Sequence, residues 1–155
     1  MKNLIAILTI ALSATHFSQT STPVWYNDIS KASEISVVEN KPMMLFFTGS
    51  DWCGWCMKLQ REVFNTETFT TWSKECVVLV EIDFPKLKEQ PDIIREQNTM
   101  LQKQFQIEGY PTVWFVSVTK LDDKYTIKPL DQTGYLKGGP SLWIETANSI
   151  INSDK

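Results

Sequence analysis

Five large apolar residues in a row, Met43-Met44-Leu45-Phe46-Phe47, run straight into Thr48-Gly49-Ser50-Asp51-Trp52-Cys53-Gly54-Trp55-Cys56. An unbroken apolar run of this length reads as a central strand buried on both faces. Gly49, Ser50 and Asp51 then supply a loop. The stretch from Gly54 to about Val63 reads as a helix. Strand, loop and helix together place Cys53 at a helix N-terminus and Cys56 one turn inside it.

The rest of the chain alternates in the same way. Thr22 to Tyr26 is an extended opening segment. Asn27 or Asp28 caps a helix through Ile29, Ala32, Ile35 and Ser36, which ends before Pro42. Asn65 or Thr66 caps a further helix carrying Phe69 and Trp72. Cys76 to Asp83 is a second buried strand, broken by Phe84-Pro85, and Lys86 to Pro91 is a polar connector. Asp92 starts a helix through Ile93, Ile94, Gln97, Met100, Leu101 and Phe105, most of them on one face, with Gly109 as its stop. Tyr110 to Val118 is a third strand and Tyr125 to Leu130 a weaker one beside it. A glycine-rich loop, Gly134 to Pro140, leads into a closing helix with Leu142, Trp143, Thr146 and Ile150 as buried candidates. This order predicts one α/β domain over 24–153, with a mostly parallel sheet made mixed by its last hairpin and flanked by helices.

The N-terminus has a different character. Lys2 precedes an apolar run from Leu4 to Ala14, followed by small and polar residues. The run is shorter than the ~20 residues a spanning helix needs. It reads as a secretory signal peptide over 1–18, cleaved after Ala14 or Ser18. The expected location is therefore outside the cytoplasm, periplasmic or extracellular. His16 is the only histidine of the chain. The folded domain thus lacks Ser-His-Asp or Cys-His catalysis and any zinc site that needs histidine. The net charge is -3, with no basic run, which argues against nucleic acid as a partner.

Thiol chemistry remains. Disulfide exchange needs a thiolate, and unpaired backbone N–H groups at a helix N-terminus stabilise one. A second thiol one turn on can return to a mixed disulfide at the first and resolve it. Two other readings of the pair stay open. It could be half of a zinc site with Cys76 as a third ligand, or a purely structural disulfide. Cys76 itself reads as a small buried hydrophobe or as a partner in an intermolecular bond.

Trp52-Cys53-Gly54-Trp55-Cys56 resembles the Trp-Cys-x-x-Cys site of the thioredoxin superfamily, and Gly109-Tyr110-Pro111-Thr112 is similar to its cis-proline loop. The resemblance covers most of the chain after the signal segment, and implies a thioredoxin-like fold. It implies Cys53 as the attacking thiol, Cys56 as the resolving thiol, and Pro111 in the cis form. Tyr110 would then present backbone to an extended substrate. Trp52 and Trp55 are the candidates for an apolar substrate rim, while Trp25, Trp72, Trp114 and Trp143 read as core or core edge. The chain departs from thioredoxins proper at three points. Phe47 stands where they carry a buried aspartate, Gly-Trp separates the cysteines, and no proline lies between Cys56 and Val63. The stretch from Asp51-Trp52-Cys53 through Glu62-Val63-Phe64-Asn65 looks more like secreted bacterial thioredoxin-like proteins. Glu81 is a candidate proton acceptor in place of the missing aspartate; its plainer reading is a strand-end glutamate. The implied activity is an exported thiol–disulfide oxidoreductase, reductase or isomerase, using no metal or organic cofactor. Its expected partners are protein disulfides or dithiols and a redox partner protein, with membrane association only through a partner. A disulfide-gated binding module and a cysteine-based metal-handling protein are the alternatives.

Overall fold

The computed structural model describes residues 22–153, so the signal segment expected over 1–18 lies outside the described residues. Five strands form one sheet: β1 (Trp25–Tyr26), β2 (Met43–Thr48), β3 (Val78–Asp83), β4 (Thr112–Leu121) and β5 (Lys124–Thr133). Their spatial order is β1-β3-β2-β4-β5. β3 runs parallel to both β1 and β2, whereas β4 is antiparallel to β2 and β5 antiparallel to β4. The sheet is thus mixed, and only its β1-β3-β2 half is parallel, less than the alternating order of elements predicts. β5 is longer than expected and carries Pro129 beside a register shift at Phe115/Val116. An edge strand accommodates both.

All six residues of β2 are buried, because helices cover both faces of the sheet. Strand alternation divides them. Met43, Leu45 and Phe47 pack with Ala32 of α1 (Ile29–Glu39) and with Leu101 of α4 (Asp92–Gln104). Met44 and Phe46 pack on the other side with Cys56, Leu59, Phe69 and Trp143. These come from α2 (Gly54–Leu59), α3 (Glu67–Cys76) and α5 (Gly139–Asn152). Trp143 is fully buried at the centre of this second core, edge-on to Phe64 at 5.2 Å and Phe69 at 5.8 Å. Each such fully buried large side chain contributes about 1.5–3 kcal/mol.

Several local expectations need correction. The helix after the cysteines is not α-helical to its end: Gln60–Phe64 is a π-helical turn in which Asn65 N–H reaches the Gln60 carbonyl. The irregularity that many helices owe to proline is here one wider turn, and Val63 and Phe64 are both buried through it. The inner face of α4 is Ile94, Asn98 and Leu101, continued by Phe105 just past its end, at helical spacing. Ile93 and Met100 fall about 100° off that face and are exposed. α4 ends at Gln104, and Gln106, not Gly109, takes the left-handed turn that follows (φ 51°). On α5 Trp143, Ala147 and Ile150 are buried, while Leu142 is exposed. Among the described residues no helix is long and apolar enough to cross a membrane.

Candidate active site

The register brings four loops to one edge of the sheet. Thr48 pairs with Asp83, and Phe47 with Thr112. Loop 49–53 after β2, loop 84–91 after β3 and loop 105–111 before β4 therefore converge, joined by the loop after Thr133, which pairs with Val113. In open α/β sheets the carboxyl ends of parallel strands are where sites are built.

Cys53 and Cys56 meet there as a disulfide, with Cα atoms 5.2 Å apart. Cys53 is the N-cap of α2, extended in backbone conformation (φ -87°, ψ 100°), and Cys56 N–H donates to its Sγ at 3.2 Å. That N–H has no carbonyl partner within the first turn, so a sulfur carrying negative charge is its natural acceptor. Cys53 keeps 6% of its surface accessible and Cys56 none. An incoming sulfur thus meets Cys53 first.

Trp52 is held from three sides. Its Nε1–H donates to the Phe84 carbonyl at 2.7 Å, its ring is edge-on to Tyr110 at 5.6 Å, and the Lys86 ammonium lies 4.0 Å from the ring centroid. Below it is Gly49, where a Cβ would come within 2.3 Å of the indole. Glycine here is required by close approach of a side chain, not by its own φ. Tyr110 is half-buried, accepts a hydrogen bond from Gln102 Nε2 at 2.7 Å, and is joined to Pro111 by a cis peptide bond. Burial raises its phenol above the ordinary range, partly opposed by that hydrogen bond. Trp55 is more open, 55% exposed, and contacts Tyr135 at 5.3 Å, whose hydroxyl donates to Glu62 at 2.6 Å.

Two carboxylates clasp the loops together. Asp83, at the end of β3, accepts from Ser50 N–H at 2.8 Å and Ser50 Oγ–H at 2.6 Å. Asp51 accepts from the N–H groups of Lys86, Leu87 and Lys88 at 3.0, 2.7 and 3.1 Å. These amides hold the Asp51 carboxyl below its ordinary value. Neither link was legible in the sequence, where loop 84–88 reads only as a polar connector.

Phe47 and Glu81 end up on opposite faces of the sheet. Phe47 is wholly buried away from the cysteines, 5.8 Å from Phe105. Glu81 is in register with Phe46, on the face that Cys56 packs against. It lines a cleft of about 590 Å³ with Trp25, Gln60 and Phe64, and Gln60 lies one helical turn beyond Cys56. Burial, reinforced by Asp83 and partly offset by Lys88, pushes its carboxyl above 4.5. Cys76 is half-buried at the end of α3. Among the described residues no three His, Cys, Asp or Glu side chains form a metal-binding group.

A Cys-x-x-Cys disulfide opening a helix, with one accessible sulfur that accepts from a backbone amide and with a cis-proline loop at the same sheet edge, is the arrangement of a thiol–disulfide oxidoreductase. The chain belongs to the thioredoxin-like family, whose "Thioredoxin-like domain" profile matches residues 29–120. It is 31% identical over 126 residues to the disulfide bond reductase DsbH of Chlamydia pneumoniae, spanning 81% of this chain and 72% of that protein. It is also 31% identical over 114 residues to the thioredoxin-related protein DsbJ of the same organism, but there the match covers 74% of this chain and only 33% of DsbJ. A solved structure titled DsbH Oxidoreductase superposes with a TM-score of 0.77 at 29% identity, covering 94% of this chain and 96% of that one.

Proposed function

We propose that this protein works outside the cytoplasm as a reductase of protein disulfides. Cys53 attacks, Cys56 resolves, and a separate redox partner protein returns the pair to the dithiol. The observation that carries this reading is the Cys56 N–H aimed at the accessible Cys53 sulfur across 3.2 Å. In the reduced protein the Cys53 thiolate attacks one sulfur of a substrate disulfide. That S–S bond breaks, a mixed disulfide forms, and the first substrate sulfur leaves as a thiolate that takes up a proton. Cys56 then gives up its proton and its thiolate attacks Cys53 Sγ. The mixed disulfide breaks, the second substrate sulfur leaves and is protonated, and the Cys53–Cys56 disulfide remains. Two electrons pass from the pair to the substrate.

In this reading Trp52, Trp55, Tyr110 and Pro111 contact the substrate chain around its cysteine. Glu81 accepts the Cys56 proton by way of the cleft it shares with Gln60. Its raised carboxyl supports that role, since a base is most effective with a pKa closer to the working pH. The reductase direction draws support from the DsbH relative. Export rests on Lys2 and the apolar run Leu4 to Ala14, with the mature domain over 24–153.

The test is insulin reduction. The intact protein turns over with a dithiol donor, Cys53→Ser does not, and Cys56→Ser accumulates a mixed disulfide with its substrate. An intact protein that binds substrate without reducing it is a docking module and ends the enzymatic reading. A potential far above about -150 mV, toward the strong oxidants, ends the reductase direction. The mass of the protein recovered from its own cells reports whether residues up to Ala14 or Ser18 are removed.

A further inference from the structure

The rim of the disulfide is charged as well as aromatic, with an ammonium over a ring on each side of the cysteines. Lys86 Nζ lies 4.0 Å from the Trp52 ring centroid. Lys58 Nζ lies 5.0 Å from Trp55 and 4.9 Å from Tyr135. Trp52 and Trp55 each immediately precede a cysteine, so the two ammoniums are carried by the rings that flank the sulfurs. Among the described residues neither lysine is in an ion pair with a carboxylate.

The nearby carboxylates already have partners. Asp51 is held by three backbone amides, Asp83 by Ser50, and Glu62 by the Tyr135 hydroxyl. The chain as a whole is acidic, with a net charge of -3. At physiological salt, exposed charges are felt over about 8 Å, so an approaching segment senses the rim's own charges more than the net charge. There the carboxylates are engaged by donors, while the two ammoniums are, among the described residues, in no ion pair. An ammonium resting on a ring face keeps N–H groups turned to solvent and can gain a carboxylate partner without leaving the ring. Trp52, Trp55, Met57 and Leu87 add exposed apolar surface at the same rim.

We infer that the rim selects extended polypeptide segments in which the reactive cysteine is flanked by aspartate or glutamate, and that Lys58 and Lys86 are the specificity-determining residues. The Asp51 clasp on loop 84–88 is what delivers Lys86 to the site. This inference rests on the reductase reading for its substrate class and goes beyond it in naming the charge recognised.

The test uses disulfide-bridged peptides identical except for aspartate, asparagine or lysine beside the cysteines. The protein is reduced with dithiothreitol, desalted and followed in single turnover, each rate being divided by the rate of dithiothreitol alone on the same peptide. Aspartate should exceed asparagine and asparagine exceed lysine, with about a tenfold span at low salt. The span should collapse in concentrated salt, and the order should reverse in Lys58→Glu/Lys86→Glu. Lys58→Gln/Lys86→Gln, the milder variant, should flatten it. Equal normalised rates, or an order that survives charge reversal, overturn the inference. In parallel, the same peptides with serine for cysteine are titrated onto the oxidised protein by tryptophan fluorescence. If no peptide is reduced, the reductase reading fails alone and this binding order still decides the inference: aspartate tightest supports it, and equal Kd overturns it.

Discussion

Gly49→Ala should destabilise the protein through a side chain three residues away. Gly49 does not use a left-handed φ, so alanine is acceptable to the backbone itself. What alanine cannot do is share space with the indole: its Cβ would lie 2.3 Å from Trp52 Cε2 and 2.5 Å from Nε1. The ring must leave, and three attachments leave with it: the Phe84 hydrogen bond, the Tyr110 contact and the Lys86 contact. A hydrogen bond contributes about 0.5–1.5 kcal/mol net, an aromatic pair about 0.5–1.5 kcal/mol, and an exposed cation–π contact about 0.5–1 kcal/mol. Restricting the unfolded chain with alanine returns about 0.4–1 kcal/mol. The expected net loss is about 1–3 kcal/mol, read from urea unfolding with a red-shifted Trp52 emission. A double-mutant cycle isolates the cause. In a Trp52→Ala background Gly49→Ala should be neutral or slightly stabilising. Gly54→Ala is the companion control, because no atom lies within 4 Å of its added Cβ. An equal loss from Gly49→Ala with and without the indole would refute the steric argument.

Three other outcomes follow from the same contacts. Glu81 has a folded carboxyl pKa raised above 4.5, so its ionisation weakens the fold as pH rises from that value through the folded one. Glu81→Gln should therefore gain thermal stability relative to wild type between pH 4 and pH 7, and a Tm difference that ignores pH would contradict the assignment. Asp51 has the opposite sign: its lowered pKa stabilises above about 3.8 and the contribution is lost as pH falls through the folded value. Asp51→Asn should flatten the acid limb of the Tm profile; an unaltered limb would mean the three amide contacts contribute nothing there. Trp143→Phe keeps most of the buried ring but leaves the Gly134 carbonyl without its indole donor at 3.0 Å. It should lose about 1–3 kcal/mol, against about 3–5 kcal/mol for Trp143→Ala, both measured by denaturant unfolding.

What could be read in the chain was what local pattern determines. The unbroken run Met43 to Phe47 specified a strand covered on both faces, and the cysteines after it specified a thiol pair opening a helix. The caps were legible to within one residue, Asn27 or Asp28 and Asn65 or Thr66, because a cap acts within three residues; the structure uses Asp28 and Thr66, each accepting from backbone N–H groups. The length of a helix face was less legible. Ile93 and Met100 have the composition of a buried stripe, but only docking decided that Asn98 would turn inward, where it donates to the Asp83 carbonyl. The π turn at Gln60–Phe64 likewise leads Phe64 into contact with Phe46, Phe69 and Trp143, a cluster that no window of sequence displays.

The sequence by itself determined the chemistry: two thiols one turn apart at a helix start, in a domain whose apolar runs demand a covered sheet. Tertiary structure decided what surrounds that chemistry. Strand alternation and the β2–β3 register placed Glu81 on the cysteine side and Phe47 on the other. The contacts of Asp51 with loop 84–88 bridge 35 to 37 residues of chain and brought Lys86 onto Trp52. The physical reason is separation along the chain. Caps, turns and buried runs are settled by neighbours, whereas charge at the rim and polarity behind the cysteines depend on loops that meet only once the sheet has formed.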